Sequence, residues 1–432
     1  MDFSLPKELV AYLAELDAFI EAEIKPLEEQ DDNKRYFDHR REWARTDWDN
    51  NGLPRKEWEA LLGEAKRRAD RAGHLRFALP KEYGGKDGSN LWMAVIREHF
   101  ASKGLGLHND LQNEHSIVAN NPFVLMMRDF GTKEQQAEWI SGMLNGTRRP
   151  TFGLTEPNHG SDATHMETRG VRQVRDGIDG WLLNGEKMWT TGMHVASHCA
   201  LFARTSGQDG DATGITCFLV PAKDPGVKIE EYLWTFNMPT DHPRVSFTNV
   251  WVPDSAIFGR EGLGLAVAQH FVHENRIRQA AGSLGAAVYC IEESVKYARN
   301  RKPFGKPLSD NQAIQFPLVE LATQAEMLRL LIRKTASEMD QMSKPEVEKR
   351  LSDKVSMCNY WANRLCCEAA DRAMQVHGGL GYSRHKPFEH IYRHHRRYRI
   401  TEGSEEIQMR KVAGWLFGYM GPRKKLFAEA AE

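Results

Sequence analysis

The sequence predicts a mostly helical α+β chain in three parts: an N-terminal helical domain (1–150), a small antiparallel β domain (151–262) and a C-terminal helical domain (263–432). Three observations predict it. At 432 residues the chain is longer than one hydrophobic core usually serves. Short runs rich in Val, Ile, Thr and aromatics, punctuated by Gly, Asp, Asn or Pro, are confined to the middle of the chain, the signature of antiparallel strands. On both sides apolar residues recur at helical spacing.

Taken in order, LVAYLAELDAFI and EWEALLGEAKRRA read as amphipathic helices, and FALPKEYGG (Phe77 to Gly85) marks a loop through Pro80 and Gly84–Gly85. The strand candidates are WLLNGEKMWTT, CALFART, GITCFLVPA, GVKIEEY and RVSFTNVWVP. Asn184–Gly185 predicts a hairpin turn, with Trp189, Thr190 and Thr191 on the strand that follows. After Gly264, residues Ile277, Ala281, Leu284, Val288, Ile291, Val295 and Ala298 alternate steps of four and three, one stripe of a long helix. Further helices are expected around 313–339 and 347–375.

Composition excludes several functions. The chain has 58 Lys+Arg against 59 Asp+Glu, a net charge of −1, which does not suit a general nucleic-acid or membrane binder. No stretch is long and apolar enough to span a bilayer. The N-terminus lacks the basic and unbroken apolar regions of a signal peptide, so a cytoplasmic location is expected. Six cysteines are scattered without a CxxC pair and read as buried free thiols. His390, His394 and His395 cluster in HIYRHHRRYR. No second ligand cluster accompanies them and the arginines would repel a cation, so no metal is predicted. The run reads instead as a helix face paired with acids, or as a surface for an anionic ligand.

Five stretches carry chemistry. TFGLTEPNHGSDAT combines the hydroxyls of Thr155 and Ser161 with Gly160; such a loop can bond a planar heterocycle or a phosphate, though a plain connecting loop is commoner. In NGEKMWTTG, Trp189 flanked by hydroxyls suits packing on an isoalloxazine, though a half-buried strand Trp is the commoner case. RNRKPFGKPLSDNQAI offers Arg301, Lys302, Lys306, Phe304 and Gln312. These could grip a pyrophosphate and cover an adenine, or equally end a helix with cations near its dipole. QVHGGLGY lets backbone approach a ligand, but it lacks the third glycine of a dinucleotide fingerprint and follows a helix; EGLGL fails too, which argues against a Rossmann domain. Finally, in RITEGSEEIQ, Glu402 is either a surface charge or a base held against a cofactor.

In this order and spacing, TEPNHGSD, NGEKMWTT, RKPFGK…NQAI, QVHGGLGY and TEGSEEIQ, with ALPKEYGG ahead of them, resemble the acyl-CoA dehydrogenase family of flavoenzymes over essentially the whole chain. The resemblance implies that family's fold: helical N-terminal domain, small β-barrel-like domain and C-terminal four-helix bundle. It implies non-covalent FAD between the β domain and the C-terminal helices. Phe152, Leu154, Thr155, Ser161, Trp189 and Thr191 fall at flavin-binding positions, Thr155 and Thr191 at the ring edge and Trp189 against the ring. Arg301, Phe304 and Gln312 resemble the ADP-binding set that one subunit lends its neighbour, and Gln375 and Gly379 resemble further contacts across that interface. A homodimer or homotetramer is therefore expected. Ser404 and Glu406 fall at FAD contacts, and Ser161, Arg276 and Gly403 at substrate contacts.

Glu402 falls where most of the family carry the catalytic base. Some branches place the base on the long helix beside an arginine; that arginine matches Arg276, and the residue before it is Asn275, no carboxylate. Three departures stand out: Thr401 where an aromatic often precedes the base, Glu406 in place of a common glutamine, and the dense cations from Arg393 to Arg399. The implied activity is FAD-dependent α,β-dehydrogenation of an acyl-CoA thioester to the trans-2-enoyl-CoA. Glu402 would take the α proton while the β hydrogen leaves as hydride to flavin N5, and an electron-transfer flavoprotein would accept the electrons. Two other readings share the scaffold: a flavin oxidase or monooxygenase, and an FAD-retaining, DNA-binding, alkylation-response-like protein. Thr401 and the loop Leu105–Asn113 are expected to shape the acyl pocket.

Overall fold

The structure is a computed structural model that describes residues 4–109 and 116–421. Of the loop expected to shape the acyl pocket, the part from residue 110 onward lies outside the described residues. The chain divides into two compact units: Met1–Ala44, Lys56–Asn120 and His273–Glu432 form the first, Arg45–Arg55 and Asn121–Val272 the second.

In chain order the principal helices are α1 (Lys7–Phe19), α2 (Lys56–Arg71), α3 (Asn90–Ser102), α4 (Pro122–Phe130), α5 (Lys133–Asn145), α6 (Val272–Asn300), α7 (Gln312–Met339), α8 (Ser352–His377), α9 (Phe388–Tyr398) and α10 (Glu405–Leu416). The strands of the main sheet are β1 (Pro150–Gly153), β2 (Arg169–Arg175), β3 (Ile178–Lys187), β4 (His198–Arg204), β5 (Ile215–Pro221), β6 (Val227–Tyr232), β7 (Pro243–Pro253) and β8 (Ile257–Phe258). Among the described residues no helix is long and apolar enough to cross a membrane.

In the first unit the predicted stripe of α6 faces the bundle core. Ile277, Ala281, Leu284, Ile291 and Ala298 are buried, Val288 packs against them, and Val295 stands out at 41% exposed. Ile277, Ala281, Leu284 and Ile291 share a core with Leu321 and Leu328 of α7, Val355 and Leu365 of α8, and Phe388 and Ile391 of α9. Each such large apolar side chain contributes about 1.5–3 kcal/mol when fully buried. The helix expected over 347–375 is divided. Ser343 and Glu346 form a capping box that starts a short helix, Lys344–Arg350. Leu351, at φ −129°, leaves helical geometry, and α8 starts at Ser352.

In the second unit the sheet order is β8-β5-β4-β2-β3-β7-β6, with β1 beside β4. The hairpins are antiparallel, as expected; β1 runs parallel to β4, and β2 meets β4 in one parallel pair, Arg169 opposite Arg204. Long connections between these strands permit that.

The structure corrects the turn assignment. Asn184 and Gly185 lie inside β3, where the pairing with β7 shifts between Leu183 and Gly185. Asn184 is occupied as an acceptor for the Asn249 N–H at 2.8 Å, which suits a bulge rather than a turn. The hairpin between β2 and β3 turns at Asp176–Gly177, with φ of 52° and 76°, the two left-handed residues that a two-residue loop requires. Trp189 is likewise not on a strand: β3 ends at Lys187 and Trp189 turns outward at φ 62°.

Candidate active site

The loop between α9 and α10 carries Glu402, and both its ends are pinned. The Glu405 N–H donates to Arg399 O at 3.0 Å. The Glu405 carboxylate accepts two bonds from Arg399 (2.8 and 2.9 Å) and two from Arg364 of α8 (both 3.1 Å). Ser404 caps α10, its Oγ accepting from the Ile407 N–H at 3.5 Å. Between the pins, Glu402 and Gly403 take left-handed φ values of 57° and 94°. A Cβ on Gly403 would lie 2.6 Å from Arg276 Nη2, so this position accepts only glycine without displacing the arginine. A non-glycine residue at positive φ, as at Glu402, is strained and persists where its surroundings hold it.

Those surroundings come from one face of α6. Asn275 Nδ2 donates to Glu402 Oε1 at 2.7 Å, and Arg276 Nη2 and Nε donate to Glu402 O at 2.7 and 3.2 Å. Burial raises the Glu402 carboxyl above its ordinary range, while Asn275, Arg276, Gln279 and Arg397 oppose that shift. The side chain still keeps exposed surface. Protein crowds the carboxyl without covering the residue, as a base that must meet a substrate requires. Beneath it, Asn359 Nδ2 donates to Arg276 O (2.9 Å) and Gln279 Oε1 (3.2 Å), and Gln408 Nε2 donates to Gly403 O (2.8 Å) and Asn359 Oδ1 (3.0 Å).

Two members of the basic run, Arg393 on α9 and Arg399 just after it, pair with acids, whereas Arg397 bonds the Tyr398 hydroxyl at 3.0 Å. Arg393 meets Glu389 at 2.6 Å and Glu42 at 3.2 Å, and Arg399 meets Glu405. His394 is fully buried, which pushes its pKa well below the ordinary value. His395 Nδ1 bonds Ser283 Oγ at 2.8 Å. Among the described residues no group of three or more His, Cys, Asp or Glu could hold a metal ion.

The remaining predicted residues fall in two places. On the second unit, Phe152 packs against Phe202 and Phe271 with ring centroids 4.9 and 5.8 Å apart. Leu154 O accepts from Lys187 Nζ at 3.2 Å and Thr155 O from the Met188 N–H at 2.8 Å. Ser161, Trp189 and Thr191 are exposed, Trp189 by 45%, and Thr191 Oγ1 bonds His242 Nδ1 at 2.9 Å. An exposed indole beside hydroxyls fits a planar ring system. On the first unit, Arg301, Phe304, Gln312, Gln375 and Gly379 are all exposed. Tyr297 stacks on His377 at 4.3 Å, which brings the end of α6 to the end of α8. Cations beside an open aromatic ring fit a nucleotide diphosphate. Thr401 and Glu406 are exposed near the base.

Residues 6–147, 151–250 and 262–417 match the models of the acyl-CoA dehydrogenase N-terminal, middle and C-terminal domains. The chain belongs to the acyl-CoA dehydrogenase family. Its members are FAD-dependent oxidoreductases acting on a CH–CH bond. The chain is 33% identical to the 3-(aryl)acrylate reductase of Clostridium sporogenes over 344 residues, 79% of this chain and 86% of that protein. It is 31% identical to the caffeyl-CoA reductase-Etf complex subunit CarC of Acetobacterium woodii over 347 residues, 80% of this chain and 87% of that protein. The butyryl-CoA dehydrogenase of Megasphaera elsdenii has the same fold with a TM-score of 0.74 at 26% identity, covering 96% of this chain and 100% of that one.

Several residues that hold the candidate groups in place have little or no signal in the sequence. Glu156 of the TEP motif and Lys187 of the NGEK motif form an ion pair at 2.8 Å, with side chains 2% and 0% exposed. Burial lowers Lys187 to about 8. A lysine at an inward strand position was the available signal. The Arg399–Glu405–Arg364 clamp had a weaker one, a carboxylate opening a helix just after a basic run. Asn120 and Arg97, distant in sequence, had none.

Proposed function

We propose that this chain removes two hydrogens from the α and β carbons of an acyl-CoA thioester, with Glu402 as the base that takes the α proton. The observation that carries this is the setting of Glu402: a carboxyl raised by burial, held from α6, on a residue that still reaches solvent. A general base works best with a pKa near the operating pH, and burial moves Glu402 that way; such catalysis contributes roughly 10²–10⁴-fold. The Glu402 N–H donates to no group among the described residues, which leaves it for the thioester carbonyl, where charge develops as the proton departs. Arg276 grips the carbonyl of the same residue and so steadies the backbone of the residue that presents the carboxylate and the N–H. Bound FAD supplies the oxidant that accepts the β hydrogen with its electron pair. Thr155, Trp189 and Thr191 would hold its ring.

The electrons then pass to an electron-transfer flavoprotein; the relative from Acetobacterium woodii is itself a subunit of an Etf complex. A second copy of the chain is part of the proposal. Arg276 lies in the first turns of α6 and Arg301 just beyond its end, about 37 Å apart along the axis. The Arg301 set therefore serves the cofactor of another copy. The exposed Phe304, Phe316 and Val319 supply apolar surface for that association.

Anaerobic titration with straight-chain and aryl acyl-CoAs, followed by flavin absorbance, tests the reading. Wild-type protein bleaches with at least one member of the panel. Glu402→Gln stays yellow with FAD bound. Normal bleaching in that variant removes Glu402 from the role, and rapid recolouring in air with peroxide formation would favour an oxidase.

A further inference from the structure

A chain of side chains leads from Arg97 to the candidate base. Arg97 Nη2 of α3 donates to Val118 O at 2.5 Å and to Asn120 Oδ1 at 3.2 Å. Asn120 Nδ2 donates to Asn275 Oδ1 at 3.1 Å, and Asn275 Nδ2 donates to Glu402 Oε1 at 2.7 Å. A guanidinium has donors only, and an ionised carboxylate has acceptors only. The two ends therefore set the direction of both amides between them. Turning either amide over would place oxygen against oxygen and N–H against N–H. Arg97 and Asn120 are each 4% exposed, so water cannot readily replace the upstream half, and a mismatch there would leave buried polar atoms unsatisfied.

We propose that Asn275, oriented by Asn120 and Arg97, is a positioning residue that commits Oε1 of Glu402 to accepting a hydrogen bond and leaves Oε2 as the oxygen that takes the substrate proton. This rests on Glu402 being the base. The carboxyl plane is then held in one orientation, so that the proton is received at one defined atom. The charged groups acting on this carboxyl are Arg276 from α6 and Arg397 from α9. Neither belongs to the amide chain, nor does Gln279, the other side chain that favours the ionised form, so the contribution of the chain can be read separately. The Asn275 bond favours the ionised form, and losing a hydrogen bond to a charged acceptor shifts its titration by about one pH unit.

The test is an infrared difference titration of the FAD-loaded protein, the Glu402 carboxyl band being the one missing in Glu402→Gln. In Asn275→Leu the midpoint rises by about one pH unit, and the acid limb of the kcat/KM profile moves with it. In Asn120→Leu it rises less. In the double variant it matches Asn275→Leu alone, because Asn120 acts only through Asn275. Asn120→Asp keeps the volume and the acceptor for Arg97 but cannot donate, and it too raises the midpoint. An unmoved midpoint in Asn275→Leu overturns the proposal, as do additive shifts in the double variant. Normal bleaching by Glu402→Gln would overturn the base assignment on its own, while the titration still reads whether Asn275 orients the carboxyl.

Discussion

Replacing Glu405 by Gln removes the charge that pins the base loop. Arg399 first, and then Arg364, hold the Glu405 carboxyl at about 2 against an ordinary 4.5. All three side chains are less than a third exposed, so water screens the cluster only modestly. A difference of roughly 2.5 pH units corresponds to about 3 kcal/mol of folding free energy. The folded value lies below the unfolded one. The contribution is therefore complete above the unfolded value and lost as pH falls toward the folded one, with about half left near pH 3. Urea unfolding followed by far-UV circular dichroism, from pH 7 down to pH 3, measures it. Glu405→Gln is less stable than wild type by about 3 kcal/mol at pH 7, and the gap narrows as the solution is acidified. A gap that stays constant with pH, or one below about 0.5 kcal/mol at pH 7, would refute the reasoning.

Two further substitutions probe the frame around the site. Lys187→Met leaves Glu156 charged and buried without its partner, and the cost in urea unfolding is about 3–5 kcal/mol; adding Glu156→Leu recovers most of it, and a loss under about 1 kcal/mol counts against the buried pair. Gly403→Ala puts a Cβ 2.6 Å from Arg276 Nη2 at φ 94°. Strain of about 1–2 kcal/mol adds to the weakened Arg276 bond, so bleaching slows while FAD stays bound; wild-type bleaching rates and stability would contradict the stated need for glycine.

The helix–sheet–helix plan was legible because it rests on periodicity. The α6 stripe is a pattern of seven residues, of which five are buried, Val288 is half-buried against the core and only Val295 is exposed. Turns were less legible, because a local pair competes with its tertiary setting: Asn184–Gly185 has the better hairpin chemistry on paper, yet strand pairing makes it a bulge and leaves the turn to Asp176–Gly177. At the candidate site, RITEGSEE was readable in part. Gly403 and Ser404 have local reasons that follow from the loop and the helix start. The partners of Glu402 come from α6 and, through Asn275, from residues near 97 and 120. Such contacts between distant stretches leave no periodic trace. Asn275 is no carboxylate, and the structure gives it a different task, donating to one.

Proton abstraction at the α carbon is the central claim, and it can be measured without the redox step. An acyl-CoA that lacks a β C–H is incubated with FAD-loaded protein in D₂O and analysed by mass spectrometry. The account predicts deuterium at the α carbon with wild-type protein and none above background with Glu402→Gln. Equal incorporation by both proteins would contradict it.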